Sequence, residues 1–270
     1  MTESIRSRLK KDEKTILELY KNGLVAKEIS EKLGYKYHQP IYNLLKRNGV
    51  FIPKNLNEFN YFKKYSVDEK YFDNIYSEAK AYILGFIAAD GYVVHNRFII
   101  SINSQDKNIL EKIKYEINST HLIVDFIKDD KYLHSKLSIN SVKLCSKLAE
   151  YGLLSPKSLT MKNIIKYIPK DLVFHFMRGY FDGDGCIHYG EYSTGKKYAI
   201  TIIGTKKFLE TSFNEYFQTN NKIGKYKSCN MYYWRISNKT YIKDFIEKIY
   251  ENATIFLDRK YNYCAHLKLL

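Results

Sequence analysis

Apolar residues recur along this chain on two periods, and the changes of period divide it into blocks. Between Asp12 and Val50 the spacing is helical. Ile16, Leu17, Leu19 and Tyr20 predict a first helix closed by Asn22-Gly23, since glycine tolerates the left-handed cap. Ala26, Ile29 and Leu33 share one face of a second helix that stops at Gly34. A third begins at Pro40, whose fixed φ suits a first helical position, and carries Ile41, Leu44 and Leu45 inward. Two short helices, a tight turn and a third helix predict a helix-turn-helix.

From residue 75 onward one order of elements occurs twice. An apolar helical run ends in Asp-Gly in AYILGFIAADGYV (81–93) and again in FHFMRGYFDGDGCI (174–187). Strand-like alternation follows in RFIISIN (97–103) and KYAITII (197–203), then a helix in DKNILEKIKYEI and KKFLETSFNEYF. Further strands, KLSIN (136–140) and YYWRIS (232–237), lead to the closing helices SVKLCSKLAEYG and TYIKDFIEKIYE. The prediction is an α+β protein built from a duplicated α-β-β-α-β-β-α unit, with a longer hairpin (GEYSTGK) in the second copy. The few prolines punctuate it near Pro53 and between Pro156 and Pro169. The predicted organisation is 1–53 helix-turn-helix, 54–74 linker, 75–165 first repeat and 166–270 second repeat.

Charge adds a partner. Lys plus Arg exceed Asp plus Glu by 44 to 29, a net +15, as expected of a protein that sits on a polyanion, and nucleic acid is the leading class. Only seven of the cations are arginine, so most phosphate contacts would be lysine point charges and affinity should fall with salt. On the third helix and its entry, Tyr37, His38, Gln39, Tyr42, Asn43, Lys46 and Arg47 lie on the outward side, where they could reach a major groove. The longest apolar stretch, Ala81 to Ala89, is far short of the roughly 20 residues that span a bilayer. With no signal-like start and four scattered cysteines, the chain reads as a protein of a cytoplasm-like reducing compartment, an organellar matrix or nucleus being alternatives. The Cys186-x-His188 spacing has no second pair to complete a zinc site.

The chemistry lies where the two copies agree. Gly85 and Ala89 are four apart, as are Gly179 and Gly183, giving each helix a small-residue stripe along which two backbones can touch. That contact would set the helix C-termini side by side, and each ends in an acid, Asp90 or Asp184. A carboxylate against the negative helix end costs roughly 0.3–1 kcal/mol, and two together repel further. Something cationic must compensate. A hard divalent ion fits, because Mg²⁺ takes one or two carboxylates and completes its shell with water and phosphate oxygens, which makes the substrate a phosphodiester.

Residues 83–91 (ILGFIAADG) and 177–185 (MRGYFDGDG) resemble the paired motifs of the LAGLIDADG homing endonucleases, and the resemblance extends over roughly residues 75–270. It implies a site-specific double-strand DNA endonuclease. The fold would be a monomer of two pseudo-symmetric halves, with motif helices at the centre and antiparallel sheets forming a saddle over DNA. The eighth-position acids Asp90 and Asp184 would bind Mg²⁺ or Mn²⁺, with the Ala89 and Gly183 carbonyls as further ligands. Ala88 replaces the first motif acid that Asp182 keeps, a position that is not the metal ligand. The family also carries a basic residue near the end of each half, here Lys157 and Lys260, to stabilise developing charge or assist the attacking water.

Strand alternation then sets the DNA face: Arg97, Ser101 and Asn103 alternate with Phe98, Ile100 and Ile102; Lys136, Ser138 and Asn140 with Leu137 and Ile139; Tyr233 and Arg235 with Trp234 and Ile236. Two other functions use this scaffold, a non-catalytic DNA-binding regulator and an RNA maturase. The motif acids favour cleavage over the first. A helix-turn-helix favours duplex DNA over A-form RNA, whose major groove is too narrow for a helix.

Overall fold

The computed structural model describes residues 4–22, 24–49, 65–157, 161, 163–218, 223–227 and 229–270. The chain divides into two units, Met1–Lys64 and Tyr65–Leu270. Gly23, the expected cap of the first helix, and residues 54–64 of the expected linker lie outside the described residues.

The first unit is three helices, α1 (Ile5–Lys21), α2 (Ala26–Lys32) and α3 (Gln39–Arg47). Ile16, Ile29, Ile41, Leu44 and Leu45 form its core, joined by Leu9. Helix α1 starts well before the block predicted from Asp12, because the Ser4 side chain caps it by accepting from the Ser7 N–H (3.2 Å) and Leu9 is buried beneath it. The Glu28 carboxylate accepts from the Val25 N–H (3.0 Å) at the start of α2. Gly34 stops α2 in the left-handed region, φ +67°, and Pro40 stands in the first turn of α3.

The second unit is α+β. Its first repeat runs α4 (Glu78–Asp90), β1 (Gly91–Val94), β2 (Arg97–Asn103), α5 (Lys107–Glu116), β3 (Ile123–Lys128), β4 (Tyr132–Asn140) and α6 (Val142–Glu150). The second runs α7 (Val173–Asp184), β5 (Gly185–Tyr192), β6 (Gly195–Gly204), α8 (Lys206–Leu209), β7 (Gly224–Lys225), β8 (Tyr232–Ile236) and α9 (Lys239–Tyr250). A final helix, α10 (Asp258–His266), follows. Each repeat contributes one antiparallel four-stranded sheet, in the matching orders β1-β2-β4-β3 and β5-β6-β8-β7. Register places Arg97 opposite Asn140 and Ser101 opposite Lys136 on one face, with Phe98, Ile100, Leu137 and Ile139 buried on the other.

Residues 65–74, expected in the linker, belong to this unit: Tyr71 and Phe72 are buried in its core, and the Tyr151 hydroxyl donates to the Phe72 carbonyl (2.7 Å). Among the described residues no helix is long and apolar enough to cross a membrane.

Helices α4 and α7 are buried on almost every side, which is why α4 reads as a continuous apolar run without an amphipathic stripe. Their contact is reciprocal. A Cβ built on Gly85 would stand 2.0 Å from the Phe176 carbonyl oxygen and 3.0 Å from the Tyr180 nitrogen; one built on Gly179 would stand 2.0 Å from the Tyr82 oxygen and 2.8 Å from the Phe86 nitrogen. Each glycine meets the carbonyl three residues before its counterpart and the nitrogen one after it. Only glycine permits this approach at either position.

Candidate active site

The reciprocal glycine contact fixes the stagger of α4 and α7, so their C-terminal residues emerge together. At the next step along the stripe a Cβ on Gly183 would lie 2.4 Å from that of Ala89 and 3.2 Å from Asp90 Oδ2. Asp90 therefore lies against the residue that immediately precedes Asp184. The predicted interface residues Gly85, Ala89, Gly179 and Gly183 are thus the ones that bring the two acids together.

The electrostatics of the pair follow from that placement. Withdrawal from water and the neighbouring Asp90 charge push the Asp184 carboxyl up to about 6, against the pull of Lys157 and Lys260 and of a hydrogen bond with Tyr180. Asp90 is raised as well, chiefly by desolvation, although one side of it opens to solvent. The Tyr180 hydroxyl, buried beneath Asp184, donates to the Ile203 carbonyl (2.9 Å). Sequence reading missed Tyr180, because a tyrosine one helical turn before an acid has no signature.

Both candidate lysines reach this junction, and both are 8% exposed. Lys157 Nζ donates to the Ala89 carbonyl (2.6 Å), and Lys260 Nζ donates to the carbonyls of Phe181 and Gly185. Desolvation lowers the pKa of each, and Asp90 and Asp184 draw both back up. The Ala89 carbonyl, a candidate metal ligand, thus already accepts from an ammonium.

Asp182 takes a different role from its neighbour. It is 2% exposed and accepts from the Tyr82 hydroxyl (2.9 Å), the Tyr250 hydroxyl (2.9 Å) and the Leu257 N–H (2.8 Å). Arg178, fully buried, donates to the Ile249 (2.7 Å) and Ile255 (3.1 Å) carbonyls and pairs with Glu78 at the start of α4. These polar groups tie the two repeats together beneath the site, and none was foreseen.

The donor set suits a hard divalent ion. Two carboxylates from different helices face one junction, and burial together with the Asp90 charge keeps Asp184 pushed up despite two nearby ammonium groups. Among the described residues no three His, Cys, Asp or Glu side chains cluster.

The predicted nucleic-acid residues fall in two places. In the second unit, Arg97, Ser101, Asn103, Asn140 and Arg235 are exposed, while Lys136, Ser138 and Tyr233 are half-buried on the same faces of their strands. Arg235 donates to Thr201 across the β6–β8 pair (3.4 Å). In the first unit, Tyr37, His38, Gln39, Asn43, Lys46 and Arg47 are exposed and Tyr42 is half-buried. Cys186 and His188 stand exposed on β5.

No protein-family model and no curated protein matches the chain. Similar solved structures include the I-LtrWI LAGLIDADG homing endonuclease bound to target DNA, 16% identical over 72% of this chain and 88% of that one, with a TM-score of 0.49. Another is the I-SmaMI LAGLIDADG homing endonuclease bound to cleaved DNA, 14% identical over 72% and 89%, also at 0.49. A third is the LAGLIDADG meganuclease I-AabMI bound to uncleaved DNA, 14% identical over 68% and 86%, at 0.47.

Proposed function

We propose that the chain is a divalent-metal-dependent DNA endonuclease of the LAGLIDADG homing type, a monomer with internal pseudo-two-fold symmetry that hydrolyses a phosphodiester in each strand of a long duplex site. One observation carries the reading: a glycine contact, identical in both directions, delivers one acid from each repeat to a shared junction flanked by two buried lysines.

Asp90 and Asp184 would hold Mg²⁺ or Mn²⁺. When bound, such an ion activates water and polarises the phosphoryl oxygen. Lys157 and Lys260 are held by backbone carbonyls with ammonium donors to spare, and a fixed positive charge there offsets the charge that develops on the phosphate. Tyr180, one helical turn before Asp184, is fixed beside it by its hydrogen bond to the Ile203 carbonyl. The polar faces of the two sheets form the saddle that reads the major groove, and α3 of the amino-terminal helix-turn-helix contacts flanking sequence through Lys46 and Arg47.

The test is cleavage of a randomised duplex library with Mg²⁺ and with chelator, followed by sequencing of the cut ends. The expected result is a discrete site cut in both strands only with the metal, and retained binding without cleavage in Asp184→Asn. Cleavage by Asp184→Asn at the wild-type rate, or no Mg²⁺-dependent cleavage by the wild type, overturns the proposal.

A further inference from the structure

The two lysines of the site are not held alike. Ala88 occupies the place in α4 that Asp182 occupies in α7, two residues before the motif acid. An unbroken chain of hydrogen bonds leads from Asp182 to Lys260. Asp182 Oδ2 accepts from the Leu257 N–H (2.8 Å), and the Leu257 carbonyl accepts from the Lys260 N–H (3.0 Å). The Lys260 ammonium then returns to the carbonyl of Phe181, the residue before Asp182.

The same helix start is gripped from the first repeat. Lys112 (2.7 Å) and Asn108 (2.6 Å) donate to Asp258, and Arg259 donates through Nε (3.0 Å) and Nη2 (2.9 Å) to Asp106. Ala88, with no carboxylate, cannot do the same for Lys157.

We propose that Asp182 is a positioning residue that sets Lys260 through Leu257 and so governs one of the two strand cleavages, with Asp106 bracing the same helix from the opposite repeat. The inference rests on the nuclease reading above, and its tests separate the two.

Hydrogen exchange on the full chain needs no DNA. In Asp182→Asn the amides of Leu257 and Lys260 should exchange faster, with α4 and β2 unchanged. Unaltered protection at Leu257 overturns the proposal. Strand-resolved nicking of a duplex site selected by the wild type should show one strand slowed about ten- to hundredfold, the loss expected of a misplaced group, and the other within about twofold.

Equal slowing of both strands would mean a merely structural role and also overturns the proposal. Should Asp182→Asn not fold, Asp106→Asn decides: a smaller loss on the Lys260-served strand supports the proposal, and an equal loss or none overturns it. A wild type that cuts neither strand refutes the nuclease reading, while the exchange result still decides the positioning.

Discussion

Replacing Asp184 by asparagine should make the folded protein more stable at neutral pH while removing the group held responsible for cleavage. The folded-state carboxyl titrates at about 6 against an ordinary 3.8. The fold therefore prefers the protonated acid, and the stability this contributes is full below about 3.8 and lost as pH rises through about 6. The difference corresponds to about 3 kcal/mol of unfavourable charging at pH 7.5. Partial exposure of the side chain discounts this to about 1–2 kcal/mol. For a unit of this size that is a rise in Tm of about 3–6 °C. Asparagine has nearly the same shape and carries no charge, so the gain should appear at pH 7.5 in chelator and shrink to a small fraction at pH 4. Thermal melts followed by circular dichroism of both proteins at both pH values measure it. An Asn variant that melts at or below the wild type at pH 7.5, or a gain independent of pH, refutes the charge argument.

Gly179→Ala forces a methyl to 2.0 Å from the Tyr82 oxygen and should cost about 3 kcal/mol or more, whereas Gly152→Ala, with open space around it and φ +83°, should cost about 1 kcal/mol; urea melts compare them. Glu78→Gln leaves the fully buried Arg178 without its counter-ion and should destabilise by about 3–5 kcal/mol in the same assay. Arg47→Ala should weaken binding to a selected duplex and reduce the slope of log K against log salt by about 1, read by fluorescence anisotropy across a salt series. Mg²⁺ should bind more tightly once duplex is present, because phosphates add negative charge to a site partly neutralised by two lysines; calorimetric titration with and without DNA reports the coupling.

The repeat was legible because period and punctuation agreed: helical runs closed by Asp-Gly, then alternating strands. Interior strands such as β2 alternate cleanly between buried and exposed positions. Edge strand β3 does not, since no position along it is fully buried and its apolar Val124 and Ile127 are exposed, so no period-2 signal marks it. Strand β7 is two residues long. Helix α10 was invisible for a related reason. Of DRKYNYCAH only Lys260 and Cys264 are buried, and the helix is fastened by Asp182, Asp106 and Lys112 rather than by an apolar face. Asp90, Asp184 and the glycines could be found because each recurs at an equivalent place. Tyr82 and Asp182 meet across 100 residues, and nothing local in the sequence announces such a pair.

The charge conflict inferred from two acids at helix C-termini has a fuller resolution than a metal alone. Each helix end contributes about half a negative charge, so with Asp90 and Asp184 the junction carries about three. Lys157 and Lys260 return two, and they do so through the terminal carbonyls themselves, acting as C-terminal caps while their own burial is made tolerable by the same oxygens. On that count about one negative charge is left over. A junction closer to neutrality would gain little from a dication, and one without the lysines would repel the phosphate that must follow. Such a balance would leave room for both a divalent ion and a phosphodiester, which ties the local violation of helix electrostatics to the reaction proposed for it.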